Sequence, residues 1–173
     1  MEKKNVTFIL AGGNLSLPFL KEQIECYDSP VIIAADRGLE ACLSVGAEPD
    51  YVIGDFDSID PAVKEAFLAD RRNVTKLNPI KDDTDSEAAL QLAFEKTQGD
   101  IYILGGTGTR LDHVLGNIDV VSFGRLAHRL LNEQAGKQAV LLDDTGKSMI
   151  LRRIAGKEKQ SLEVFGRNLN QSG

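Results

Sequence analysis

From the N-terminus to about residue 133, short β-branched apolar runs alternate with stretches whose apolar residues recur at helical spacing. "VTFILA" (6–11) predicts a strand, "GGN" a turn, and Ser16 to Glu25 a helix. "VIIAA" (31–35) predicts the second strand, and "GLEACLSV" (38–45) a short helix stopped by Gly46. "YVIG" (51–54) is the third strand. Asp60 then caps a helix that begins at Pro61, where a missing N–H does no harm. "NVTKL" (73–77) predicts the fourth strand, and Thr84 and Glu87 stand at capping-box spacing to open the helix "DSEAALQLAFEKT". "IYIL" (101–104) is the fifth strand, followed by the glycine-rich "GGTGTR" and a long helix from about Asp112 to Glu133.

Such alternation implies an α/β domain: a parallel sheet with helices on both faces, in a Rossmann-like arrangement, over residues 1–135. After residue 137 the pattern changes. "QAVLLDD", "KSMILRR" and "QSLEVFG" read as three short strands with turns and no helix between them. They predict the start of a small antiparallel β-sandwich over residues 136–173, ending in the polar tail "GRNLNQSG".

Composition narrows the function classes. A formal net charge of −6 and an isoelectric point near 5.0 argue against nucleic acid or an anionic membrane as the main partner. The opening "MEKKNVTFILAGG" has too short an apolar run for a secretory signal, and no stretch is long enough to span a bilayer. The expectation is a cytoplasmic protein. Cys26 and Cys42 stand at no metal-ligand spacing and read as buried thiols.

The acids fall at particular points of this map. Asp36 follows the second strand, Asp55 and Asp57 the third, and Asp82, Asp83 and Asp85 the fourth; Arg110 and Asp112 follow the fifth. In an open parallel sheet these loops all emerge at the carboxyl edge, where ligands bind. Like charges crowded at one rim are stable when they hold a hard divalent cation, which in turn holds phosphate oxygens. Within "GGTGTRLDH" (105–113), backbone N–H groups free of side-chain obstruction precede a guanidinium and a helix start, a combination suited to phosphate.

Several residues have plainer readings. Asp60 is a helix cap, and Asp85 sits in a helix's first turn, where the macrodipole favours an acid in any case. His113 reads as a structural hydrogen-bonding residue and His128 as part of a solvated face. "TGKS" (145–148) is a β-turn: a P-loop needs glycine at position 141, which is Leu141. "LRRIAGKEK" (151–159) is a solvated hairpin with its flanks.

Taken together, "AADRG" (34–38), "PDYVIGDFDSI" (49–59), "DDTDSEAAL" (82–90) and "GGTGTRLDHVLGNI" (105–118) resemble the thiamin pyrophosphokinase (thiamine diphosphokinase) family in order, spacing and placement on elements. The resemblance implies transfer of the diphosphoryl group of ATP to thiamine, giving AMP and thiamine diphosphate, with Mg²⁺ required. It also implies a homodimer whose C-terminal β-sandwich takes part in thiamine binding. Carried over by motif, Asp55, Asp57 and Asp85 become metal ligands. Asp36, Lys81, Asp82, Thr84, Gly106, Thr107 and Arg110 line the nucleotide and phosphate site, and Asp57, Asp85, Arg110 and Asp112 serve catalysis. Arg37 stands where many relatives carry glycine. The family's sandwich runs for several more strands than these residues supply, so a truncated or altered C-terminal unit is expected. Two alternatives stay open: a Mg²⁺-dependent phosphohydrolase with an aspartyl nucleophile, and a nucleotide- or metal-binding remnant of the family.

Overall fold

The computed structural model describes residues 6–54, 59–69, 75–77, 85–96, 99–106, 139–142 and 148–151. The elements are β1 (Val6–Leu10), α1 (Leu17–Glu25), β2 (Val31–Ala35), α2 (Gly38–Ser44), β3 (Tyr51–Ile53), α3 (Pro61–Ala69), β4 (Thr75–Leu77), α4 (Asp85–Lys96), β5 (Asp100–Leu104), β6 (Ala139–Leu142) and β7 (Ser148–Leu151). They form one sheet in the order β4-β3-β2-β1-β5-β6-β7. Every pairing is parallel except β6 with β7.

Local chemistry sets the helix ends where the sequence predicts them. Ser16 caps α1, its hydroxyl accepting from the Phe19 N–H at 3.5 Å. The Asp60 carboxylate accepts from the Ala62 N–H at 2.8 Å, so this acid is the cap of α3. Gly46 follows α2 with φ of 74°, a left-handed turn that suits glycine.

The strands bury both faces, and their two-residue period sorts the core. Ile9, Ile33, Ala35, Ile53, Ile101 and Ile103 face α4, which contributes Ala89, Leu90, Leu92, Ala93 and Phe94. On the opposite face Val6, Phe8, Leu10, Ile32 and Leu104 pack with Leu20 of α1 and Cys42 of α2. Ala34 and Val52 pack there with Leu39 and Ile59, against which Val63 and Phe67 of α3 rest. Helices therefore cover both faces: α1, α2 and α3 one, α4 the other. Burying each large aliphatic side chain here contributes about 1.5–3 kcal/mol.

The expected antiparallel pairing after residue 137 is found between β6 and β7, but β6 itself lies parallel on β5. These two strands extend the main sheet, so the expected boundary at 135/136 falls between strands of one sheet. The uninterrupted apolar run "AVLL" has the character of a strand in a parallel sheet, and β5 offers it a free edge. The third run, "QSLEVFG", the helix expected over 112–133, His113, His128 and residues 152–159 lie outside the described residues, as does the connection containing "TGK".

The expectation of two buried thiols holds for Cys42 alone. Cys26 is exposed at the C-cap of α1, where the chain leaves the helix beyond its last buried position. Burial, then the negative charges of Asp50 and Glu48, push the Cys42 thiol from 9.0 up to about 12. A disulfide reagent at neutral pH is therefore expected to titrate Cys26 rapidly in the native protein and Cys42 only on unfolding. Equal rates at the two thiols would contradict this packing. The sign of the pH effect follows: the neutral thiol's contribution to stability is intact below 9.0 and is lost as pH rises towards about 12.

Candidate functional site

The strand order places a reversal at β1. Strands β2, β3 and β4 are added in turn on one side, α4 then carries the chain back across the sheet, and β5 pairs on the other side of β1. The exits of β1 and β5 therefore border the switch point, where an open α/β sheet leaves a crevice for a ligand. Their loops are bonded together: the Ala11 N–H donates to the Leu104 carbonyl, and the Gly13 N–H to the Gly105 carbonyl, each at 2.8 Å. Gly105 has φ of 69°, and a Cβ there would lie 2.7 Å from the Ala11 carbonyl oxygen. Only glycine allows this approach. Gly106, beside it, is buried.

Asp36 ends β2 in a left-handed conformation, with φ of 49°. Its N–H donates to the Ile53 carbonyl at 2.9 Å, continuing the ladder to β3, and its carbonyl accepts from the Leu39 N–H at 3.2 Å. The backbone is thereby held at both sides of the turn. Its Oδ2 lies 3.5 Å from where a Cβ on Gly12 would stand. Its Oδ1 is buried and has no hydrogen-bond partner among the described residues. A buried carboxylate oxygen without a donor is costly, and it is stable where a cation or donor group supplies the missing interaction.

Gly54 ends β3 with φ of 123°, and a Cβ there would lie 3.2 Å from Asp85 Oδ2 and 3.5 Å from the Asp36 nitrogen. Asp85 is the first residue of α4. Across this one glycine the structure brings together Asp36 and Asp85, from the exit of β2 and from the helix after β4. Both acids stand at the carboxyl edge of the sheet. The N-terminus of α4 adds a partial positive charge that favours the Asp85 carboxylate and any anion beside it. Among the described residues these two form a pair, and no group of three or more His, Cys, Asp or Glu side chains converges on a point.

Of the residues predicted for the site, Asp36, Asp85 and Gly106 are described and all lie at this edge. Asp55, Asp57, Lys81, Asp82, Thr84, Thr107, Arg110 and Asp112 lie outside the described residues. Connectivity puts Asp55 next to Gly54. Sequence reasoning overlooked Asp50, whose carboxylate accepts from the Ile32 N–H at 2.8 Å while its own N–H donates to the Ile32 carbonyl at 2.8 Å. It fastens the entry of β3 to β2. The one sequence signal is a Pro-Asp pair just before an apolar run.

The family model for the thiamin pyrophosphokinase catalytic domain matches residues 24–130. The chain belongs to the thiamin pyrophosphokinase family. A thiamine pyrophosphokinase of Bacillus subtilis is 32% identical over 141 residues, covering 76% of this chain and 62% of that protein. The chain thus spans about three fifths of that relative's length. The crystal structure of thiamine pyrophosphokinase from Bacillus subtilis superposes with a TM-score of 0.63 at 27% identity, over 80% of this chain and 60% of that one. Yeast thiamin pyrophosphokinase, at 14% identity, TM-score 0.58 and coverage of 83% and 59%, shares the fold. A second family model, ADDB N-terminal, matches residues 108–173. A subunit of the ATP-dependent helicase/deoxyribonuclease of Lachnoclostridium phytofermentans is 42% identical over 57 residues, 33% of this chain and 5% of that protein. The two models overlap over 108–130, so the thiamin pyrophosphokinase likeness alone covers the part that holds Asp36, Gly54 and Asp85. Among the described residues no helix is long and apolar enough to cross a membrane.

Proposed function

We propose that this chain is a cytoplasmic, homodimeric thiamine diphosphokinase that transfers the diphosphoryl group of ATP to thiamine with Mg²⁺. The observation that carries the reading is the meeting of Asp36 and Asp85 across Gly54 at the carboxyl edge, with Asp36 Oδ1 buried and lacking a donor. The donor set is hard oxygen and anionic, and it fits a hard divalent cation. Asp55, Asp57 and Asp85 would hold Mg²⁺, which supplies charge neutralisation on the polyphosphate oxygens.

The chain's own residues do the rest. Asp36, Lys81, Asp82 and Thr84, with the backbone of Gly106 and Thr107, line the nucleotide site. Arg110 offers a planar fork to the phosphates, and Asp112 orients groups beside it. The hydroxyethyl oxygen of thiamine forms a bond to the β-phosphorus of ATP. The bond from that phosphorus to the oxygen bridging the α-phosphorus breaks, and AMP leaves with this oxygen. The alcohol's proton passes to a carboxylate of the rim. Such transfer asks mainly for alignment and charge stabilisation, which a rigid sheet edge provides.

A second reading is favoured by the likeness of residues 108–173 to another family: a protein that binds Mg²⁺ and nucleotide without turnover. Incubation with ATP, Mg²⁺ and thiamine separates these readings. Thiamine-dependent AMP release is expected. Mg²⁺-dependent ATP binding with no AMP would assign the second reading, and inorganic phosphate without AMP would indicate a hydrolase.

A further inference from the structure

The acidic loop leaves the sheet at Gly54, and the chain packs again on the core at Ile59. Ile59 is 4% exposed and packs with Ala34, Leu39 and Val52. The Asp60 side chain is occupied as the cap of α3, and its carbonyl accepts from the Lys64 N–H at 2.9 Å. The Asp60 N–H belongs to no helix or ladder. It donates at 2.8 Å to Oε1 of Glu40, a residue in the first turn of α2.

The other oxygen of the same carboxylate, Oε2, lies 3.8 Å from Nη2 of Arg37. Arg37 directly follows Asp36, and its Cβ is 3.3 Å from where a Cβ on Gly12 would stand. One side chain on α2 is thus bonded to the exit of the acidic loop and stands beside the cation of the β2 exit. The two links differ in strength. The Arg37 pair is long and its guanidinium end is 58% exposed, so solvent screens it. The bond from the Asp60 amide is short and charge-assisted, and it is the stronger restraint.

We infer that Glu40 is a positioning residue that sets where the acidic loop holds Asp55 and Asp57 relative to Asp36 and Asp85. The inference rests on the reading of these acids as the Mg²⁺-holding group. With Gly54 fixed beside Asp36 and Asp85, and Asp60 fixed to Glu40, the intervening residues are tied at both ends. Removing one tie enlarges the range of positions open to the acids, and a cation must then restrict them again on binding.

The test uses the full chain, with Mn²⁺ as the probe cation followed by electron paramagnetic resonance, and hydrogen exchange of the Asp60 amide without nucleotide. Glu40→Ala is expected to speed exchange at Asp60 and to weaken Mn²⁺ binding about tenfold, the size of one lost charge-assisted bond. Glu40→Gln keeps an oxygen that accepts from the Asp60 amide, and is expected to bind Mn²⁺ within about twofold of wild type, since the loss of a screened ion pair costs little. A merely structural role would lower the melting temperature of Glu40→Ala without moving Mn²⁺ affinity, and that result overturns the inference. So does a Glu40→Gln variant as weak as Glu40→Ala. If wild type binds Mn²⁺ but releases no AMP with ATP and thiamine, the transferase reading fails while the role of Glu40 is still decided by the affinities. If wild type binds no Mn²⁺, both fall.

Discussion

Gly38→Ala is expected to destabilise the protein by more than about 3 kcal/mol, a severe case of overpacking. Gly38 opens α2, and a Cβ there would stand 1.9 Å from the Leu10 carbonyl oxygen, 2.5 Å from the Leu10 carbonyl carbon and 3.0 Å from Leu10 Cβ. The first two are backbone atoms of β1, the central strand, so no rotamer change relieves the overlap. Relief requires α2 to lift from the sheet, and that would loosen Leu39 and Cys42, which are 1% and 0% exposed. It would also displace Asp36, whose carbonyl accepts from the Leu39 N–H.

For a chain of this size, a loss of about 3 kcal/mol lowers the melting temperature by roughly 6–12 °C. Gly46→Ala is the control. Its Cβ would meet nothing within 4 Å, and its cost is the left-handed backbone alone, about 1 kcal/mol. Thermal unfolding of the two variants compares steric overlap with backbone strain. A Gly38→Ala protein that melts no lower than Gly46→Ala would show that α2 does not seat on β1 this closely.

The second large effect concerns chemistry rather than folding. Asp57→Asn and Asp85→Asn are each expected to lower Mg²⁺-dependent AMP release by at least about a hundredfold, since each removes a charge from the group proposed to hold the cation. Stability should move little. At Asp85 two terms oppose: the α4 macrodipole favours the carboxylate by about 0.3–1 kcal/mol, while the neighbouring acids repel it by a similar amount. Relieving that repulsion in the metal-free protein leaves the melting temperature of Asp57→Asn unchanged or raised. The checks are steady-state AMP release against Mg²⁺ concentration and a melting curve without metal. A large fall in melting temperature would make these acids structural, and unaltered turnover would remove them from the site.

Legibility in the sequence varies by residue. Ser16, Asp60, Pro61 and Gly46 announce helix ends because a cap bonds to backbone one to three residues away, and so its signal is local. The strand at 139–142 is legible as a strand but not as a member of the main sheet, because an apolar run does not name its neighbour. Asp36 can be placed after a strand, and Asp85 at a helix start. That they share one glycine's surroundings is written at neither position. The tie from Glu40 to Asp60 leaves no signal, since a glutamate in the first turn of a helix looks like any macrodipole-favoured acid.

By itself, the sequence determined the alternation of strand and helix, the faces each strand buries and the delivery of acids to strand exits. These follow from side-chain period and capping chemistry, which act within a few residues. Tertiary structure alone decided the order β4-β3-β2-β1-β5-β6-β7 and the reversal at β1 that opens the crevice. It also decided the left-handed turns at Asp36 and Gly54, which bring one carboxylate from β2 and another from α4 to the same edge. The physical reason is that strand pairing and close backbone approach depend on which distant segments meet, and the free energy of that choice is shared over the whole core.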